Sequence, residues 1–182
     1  MNRIGVVMLC GCMATKTLGA GLRMCLDRMG ETALAVSPSN RFSFRFTILP
    51  TRGSPVSIRV EQEGTVLKLV AKRLDGRGGY EIGDLIETQE RKLSEEESRE
   101  ILKSAGKLRF FEMSSRDHEE LGSDGERWFL EGSQRGKFHR VERWSAKAEA
   151  KGRGLEEFVE FCGLLVKHAN LNEPPKGFER KE

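Results

Sequence analysis

Residues Asp124 to Ser145, DGERWFLEGSQRGKFHRVERWS, hold two runs of alternating apolar and polar side chains around the glycine-bearing stretch Gly132-Ser133-Gln134-Arg135-Gly136. Period-two alternation on either side of such a turn is the pattern of a β-hairpin. Cross-strand charges choose among its registers, because like charges directly opposite one another destabilise a sheet and unlike charges support it. Pairing Glu131 with Phe138 sets Glu126 opposite Arg143, Arg127 opposite Glu142, Trp128 opposite Val141 and Leu130 opposite His139. A slip of one residue sets Glu126 against Glu142, or Arg127 against Arg143. The charge rule therefore predicts the first register. One face then carries Trp128, Leu130, His139 and Val141 and is expected to be core. The other carries Phe129, Glu131, Phe138 and Arg140. Gly125 falls opposite Trp144, so the indole is expected to lie over a position without a side chain.

The remaining chain supplies partners for this hairpin. Phe42, Phe44, Phe46 and Ile48 alternate with Ser43, Arg45 and Thr47 before Pro50, which predicts a strand. Val56, Ile58 and Val60 form a second, and Glu63-Gly64 turns the chain into a third at Val66 to Ala71, making another hairpin. Residues 73–84 contain four glycines, but no Gly-Lys-Ser/Thr follows them and no apolar helix begins after them, so a phosphate-binding loop is excluded in favour of a long turn. Asp75 and Tyr80 are the ligand candidates on that loop. Leu85 to Arg91 reads as an edge strand with charged alternation. Ser94-Glu95-Glu96-Glu97 is a capping box that starts a helix carrying Ile101, Leu102, Ala105 and Leu108. After the hairpin, Ala146 to Gly154 is a basic linker. Leu155, Phe158, Val159, Cys162, Leu165, Val166 and Ala169 then trace the apolar stripe of a second helix.

This order predicts an α+β domain, an antiparallel sheet of about six strands with two amphipathic helices on one face. The boundaries are a leader over 1–12, a tether over 13–41, a single domain over 42–171 and a disordered tail over 172–182. Within the tether a short helix around Leu22, Leu26 and Met29 is compatible with the sequence. Of 182 residues, 32 % are charged and the formal net charge is +3. Such a chain is globular rather than disordered through its middle, and its balance does not argue for nucleic acid as a partner.

Asp124-Gly125, Trp128, Glu131-Gly132, Gly136, Phe138-His139 and Arg143-Trp144-Ser145 resemble the signature of an uncharacterised family of bacterial lipoproteins. Its motif runs roughly DGxxWxxEGxxxGxYHxxxRWSP. The likeness extends through Leu74-Asp75-Gly76, Gly78-Gly79-Tyr80 and Leu93-Ser94, and covers about residues 43 to 170. Phe138 stands where the family has tyrosine, and Ala146 where it has proline. The resemblance implies an address in the cell envelope and no particular reaction.

The N-terminus agrees with that address. Arg3 precedes the apolar run Ile4 to Leu9, which closes on Leu9-Cys10-Gly11-Cys12 and resembles a lipobox with Cys12 as the lipidated residue. The run is short against the usual 7 to 15 or so apolar residues of a signal peptide. A diacylated cysteine would hold the chain to a membrane without a spanning helix. The four cysteines, at 10, 12, 25 and 162, do not form a disulfide framework. No cofactor is implied. Asp117, His118, Glu119 and Glu120 are the densest group of potential metal ligands, but neighbours in sequence rarely converge on one centre, so no metal is expected.

The leading expectation is thus a non-enzymatic envelope module that binds a protein or another envelope component. Its binding residues would be Glu131, Phe138, His139, Arg140, Arg143 and Trp144. Two alternatives stand beside it. One is a hydrolase with His139 as general base and Glu131 or Asp124 as its orienting acid. The other is weak nucleic-acid binding through Arg127, Arg135, Lys137, Arg140, Arg143, Lys147, Lys151 and Arg153, among which Glu126, Glu131, Glu142 and Glu149 interleave.

Overall fold

A computed structural model describes residues 19–34, 41–76, 81–116 and 124–178. In chain order the elements are α1 (Ala20–Arg28), β1 (Ser43–Pro50), β2 (Val56–Glu63), β3 (Val66–Leu74), β4 (Leu85–Lys92), α2 (Glu95–Lys107), β5 (Glu126–Gln134), β6 (Lys137–Trp144) and α3 (Glu156–Ala169). A 3-10 turn at Phe110–Glu112 follows α2. The six strands form one antiparallel sheet in the order β4-β3-β2-β1-β5-β6. The fold is α+β, as the alternating and helical periodicities predict.

Strand alternation sorts the side chains into two sets. Phe44, Phe46 and Ile48 of β1, Val56, Ile58 and Val60 of β2, Leu67, Leu69 and Ala71 of β3, Trp128 and Leu130 of β5 and Val141 of β6 are buried in one cluster. Ile101 of α2 and Phe158, Phe161, Cys162 and Leu165 of α3 belong to the same cluster. The intervening strand positions look the other way. Phe129 clusters there with Leu22 and Leu26 of α1, and Leu74 with Cys25 and Met29.

Two boundaries read from the sequence are corrected. The segment 13–41 is not a tether over its described part, because α1 buries Leu22, Cys25, Leu26 and Met29 against the sheet. These residues recur at helical spacing, and burying them outweighs the helix-weakening glycines nearby. The segment 172–182 is likewise ordered as far as Phe178. Its ring lies 5.1 Å from that of Trp128 and 6.4 Å from that of Phe46, with the Lys147 ammonium 3.4 Å from its centroid. α3 ends at Ala169, with Asn170 left-handed at φ 51°, and beyond Pro174-Pro175 a turn in which the Phe178 amide donates to the Pro175 carbonyl at 2.9 Å brings the ring back over the core.

The hairpin register is corrected as well. Leu130 pairs with Val141, Glu131 with Arg140 and Gly132 with His139, two residues away from the charge-based expectation. A two-residue slip leaves each side chain on its expected face, so the assignment of core and outer faces holds. The loop is Arg135-Gly136 alone, with φ of 51° and 73°. Positive φ at both loop positions is the geometry of the tight hairpin turn whose twist matches that of the flanking strands. Gly125 does lie beneath the indole: a Cβ there would stand 2.5 Å from Cζ2 of Trp144.

The capping box forms as expected, with the Ser94 hydroxyl accepting from the Glu97 amide at 3.1 Å and the Glu97 carboxylate accepting from the Ser94 amide at 2.8 Å. Arg91 also donates to Glu97, at 2.8 Å and 3.1 Å. Hydrogen bonds from Arg91 and then from the Ser94 amide bring the Glu97 carboxyl down from 4.5 to about 2. His168 of α3 sits 3.3 Å from Glu97 and 2.9 Å from Glu100, so it bridges two helices rather than only capping its own.

Two outcomes follow from this packing. Trp128 is fully buried, and Trp128→Ala is expected to cost about 3–5 kcal/mol in denaturant unfolding, the usual loss on truncating a core aromatic. Glu97 has a depressed carboxyl, so its contribution is present above its ordinary value of 4.5 and lost as pH falls through about 2. Unfolding free energy followed from pH 6 downward should decline across that window, and Glu97→Gln should flatten the decline.

Candidate functional site

The outer face of the sheet carries charge where the inner face carries aromatic rings. Arg45, the third residue of β1, is fully buried. Its Nε and Nη2 donate to Oε2 of Glu131 on β5 at 2.7 Å and 2.5 Å, and its Nη1 donates to the Thr32 carbonyl at 2.6 Å. The other Glu131 oxygen accepts from Nε and Nη2 of Arg140 on β6 at 3.0 Å and 2.7 Å. One buried carboxylate thus joins three adjacent strands.

A second carboxylate descends from the segment after α1. Glu31 Oε2 accepts from Arg59 Nε on β2 at 2.9 Å and lies 3.6 Å from Arg45, while its Oε1 is 2.9 Å from the ammonium of Lys72 on β3. Burial acts to raise the Glu31 carboxyl, but hydrogen bonds and charge from Lys72 and Arg59 outweigh it and hold it below the usual range. Lys72 also donates to the Met29 carbonyl at the end of α1, at 2.9 Å. A cation at the C-terminal end of a helix complements its dipole. The centre of the outer face is therefore closed by α1 and the residues after it.

What stays open is a groove of about 560 Å³ at the hairpin's open end. Met24 and Arg28 of α1, Leu49, Ile82, Arg127 and Trp144 line it. Met24 is among the most exposed large apolar residues described, at 61 %. Arg28 is held by Asp84 at 2.5 Å. Asp75, a ligand candidate, accepts from the Asp84 amide at 2.8 Å and so shapes the adjoining loop. Close passage there depends on Gly76 and Gly83, where a Cβ would meet backbone atoms at 2.1 Å and 2.2 Å.

The residues predicted to bind are divided among these surroundings. Glu131 and Arg140 belong to the buried network. Phe138 is exposed, with the Arg140 guanidinium 5.7 Å from its ring centroid. His139 faces the core, its Nε2 2.8 Å from the Met113 carbonyl and its ring 5.2 Å from that of Phe110. Arg143 is buried on that side too, donating to the carbonyls of Glu142 at 2.7 Å and Ser114 at 2.9 Å. Trp144 alone among them lines the groove. Because His139 and Glu131 project from opposite faces, the two do not form the acid–base pair a hydrolase at this position would need. Asp124 makes its ion pair with Arg52, at 3.9 Å. Cys12, Tyr80 and Asp117 to Glu120 lie outside the described residues. Among the described residues no group of three or more His, Cys, Asp or Glu side chains could hold a metal, and no helix is long and apolar enough to cross a membrane. Cys162 is completely buried, which pushes its thiol well above the usual range.

The sequence reading missed Arg45, Glu31, Arg59 and Lys72. A visible signal was Arg45 itself, a charge in the middle of an aromatic strand. Comparison with models of known families, with curated proteins and with solved structures finds no match.

Removing the Glu131 carboxylate would leave the buried Arg45 guanidinium and the half-buried Arg140 guanidinium without their shared hydrogen-bond acceptor. Glu131→Gln is expected to destabilise the fold by about 3–5 kcal/mol, read from denaturant unfolding. A cost below about 1 kcal/mol would mean that the network contributes no more than a surface pair.

Proposed function

We propose that the chain is an envelope-associated lipoprotein, anchored through Cys12 and acting as a non-enzymatic binding module. The observation that carries this reading is the sequence Leu9-Cys10-Gly11-Cys12 directly after the apolar run Ile4 to Leu9. A second support is the resemblance of the Asp124–Ser145 stretch to the motif of a bacterial lipoprotein family. Cys12 and Ala20, the start of α1, are separated by only seven residues. Fully extended, seven residues reach about 25 Å, so a domain anchored at Cys12 would stay close to the membrane surface.

The surface offered to a protein or envelope component is the groove beside α1. Trp144, Met24, Arg28 and Arg127 combine an aromatic body, a flexible thioether and cationic heads, the side-chain types that supply interface energy at modest entropic cost. The hydrolase alternative gains no support from His139, whose ring nitrogen is committed to a backbone carbonyl.

Membrane fractionation of the full-length protein beside Cys12→Ala, with intact mass on the membrane fraction, tests the anchor. The expected result is a lipid mass increment and membrane retention, both lost with Cys12. An unmodified wild-type chain in the soluble fraction would remove the anchor and the envelope address with it.

A further inference from the structure

The sheet has two edges, β6 and β4, and the described residues cover them unequally. On β6, the Glu142 amide donates to the Ser115 carbonyl at 2.8 Å and Arg116 forms a bridge with Glu142, so that edge is occupied at Glu142. On β4, the Leu93 amide donates inward to the Leu67 carbonyl at 2.8 Å. Hydrogen-bonding direction alternates along an antiparallel pair. Residues 87, 89 and 91 therefore face β3, while the backbone groups of Thr88, Glu90 and Lys92 point out from the sheet; at Ile86 the register shifts, between the pairs Arg73–Glu87 and Leu74–Leu85. Among the described residues none of those three has a backbone partner beyond the strand.

Charge on an edge strand ordinarily wards off pairing. Here each charge is already met from within the chain: Glu87 by Arg73 at 3.0 Å, Glu90 by Lys68 at 2.6 Å, Arg91 by Glu97 at 2.8 Å and Lys92 by Glu63 at 3.3 Å. The strand also carries two of the four exposed large apolar residues described, Leu85 and Ile86 at 42 % and 49 %. We propose that β4 is a self-association edge, at which two copies of this chain pair β4 against β4 about a two-fold axis through Gln89.

The sequence of β4 selects that axis. Backbone complementarity requires outward-pointing residues to face one another, which leaves axes through Thr88, Gln89 or Glu90. An axis through Glu90 opposes the two Glu90 carboxylates. An axis through Thr88 opposes Glu87 to Gln89, with no complementary charge pair. The axis through Gln89 sets Glu87 opposite Arg91 twice. Unlike charges across a strand pair are favourable and like charges are not. One strand pair buries less than a standard interface of about 1,600 Å², so the association is expected to be weak, with Kd between about 10 μM and 1 mM.

The test uses the full-length chain with Cys10→Ser and Cys12→Ser, which removes lipidation and those two thiols from the readout. Sedimentation velocity should show a concentration-dependent dimer. Thr88→Pro deletes an outward N–H without touching the β3 ladder, and should weaken association at least tenfold with the melting temperature little changed. Should Thr88→Pro fail to fold, Thr88→Glu serves instead, because it sets glutamate against Glu90 of the second copy at an exposed position. The register is read by mild oxidation: Gln89→Cys should form an intermolecular disulfide, since residues on the axis come within disulfide reach, whereas Thr88→Cys should not. A chain monomeric up to about 1 mM, a dimer indifferent to these substitutions, or equal cross-linking of both cysteine variants would overturn the proposal.

Discussion

The outer face of this sheet depends on the Glu131 carboxylate, held between Arg45 and Arg140 and removed from solvent. Ionised groups are costly to bury, and such a pair adds little to stability over well-packed apolar residues of the same size. Its consequence is geometric. Arg45 and Glu131 are partners across β1 and β5, and Glu131 and Arg140 are partners across β5 and β6. A slip of two residues in the hairpin would preserve the inner and outer faces but put Phe138 opposite Glu131, leaving Arg140 without its carboxylate. The network thereby distinguishes two registers that the hydrophobic pattern treats as equivalent.

That distinction explains what could be read from the chain and what could not. Period-two alternation placed Trp128, Leu130, His139 and Val141 on one face and Phe129, Glu131, Phe138 and Arg140 on the other, and the structure keeps both sets. The register escaped because Glu126, Arg127, Glu142 and Arg143 lie at the strand ends and say nothing about the carboxylate in the interior. The partner that fixes it, Arg45, is 86 residues away in sequence. The turn was hidden too. Arg135 adopts φ of 51° where asparagine or aspartate is the usual residue, so Arg135-Gly136 carries a weaker turn signal than the longer glycine-bounded stretch that contains it. Of the residues chosen as a binding group, only Trp144 reaches the groove, because neighbours on a strand point alternately to different surroundings.

α1 occupies the outer face for two reasons of different kind. Leu22 and Leu26 cover Phe129, which is ordinary apolar burial. Beyond its C-terminus the chain delivers Glu31 among Arg45, Arg59 and Lys72, and turns the Met29 carbonyl toward the same lysine. Cations from three different strands would repel one another on a bare sheet. With Glu31 and Glu131 between them, they become the counter-charge that seats the helix. The N-terminal segment is thus an integral layer of the domain, and a chain beginning at β1 would expose buried arginines as well as apolar surface.

The same arithmetic of charge separates the two edges of the sheet. Glu142 on β6 takes Arg116 as both ion-pair and backbone neighbour, so local chain blocks the edge while neutralising it. On β4 the neutralising groups Arg73, Lys68, Glu97 and Glu63 all come from the sheet side or from α2, and none of them covers the outward backbone. Charges protect an edge when a second strand would have to desolvate them or face them with their like. Once satisfied from behind, they offer less resistance to an incoming strand, and their order along β4 then decides which alignment that strand can take.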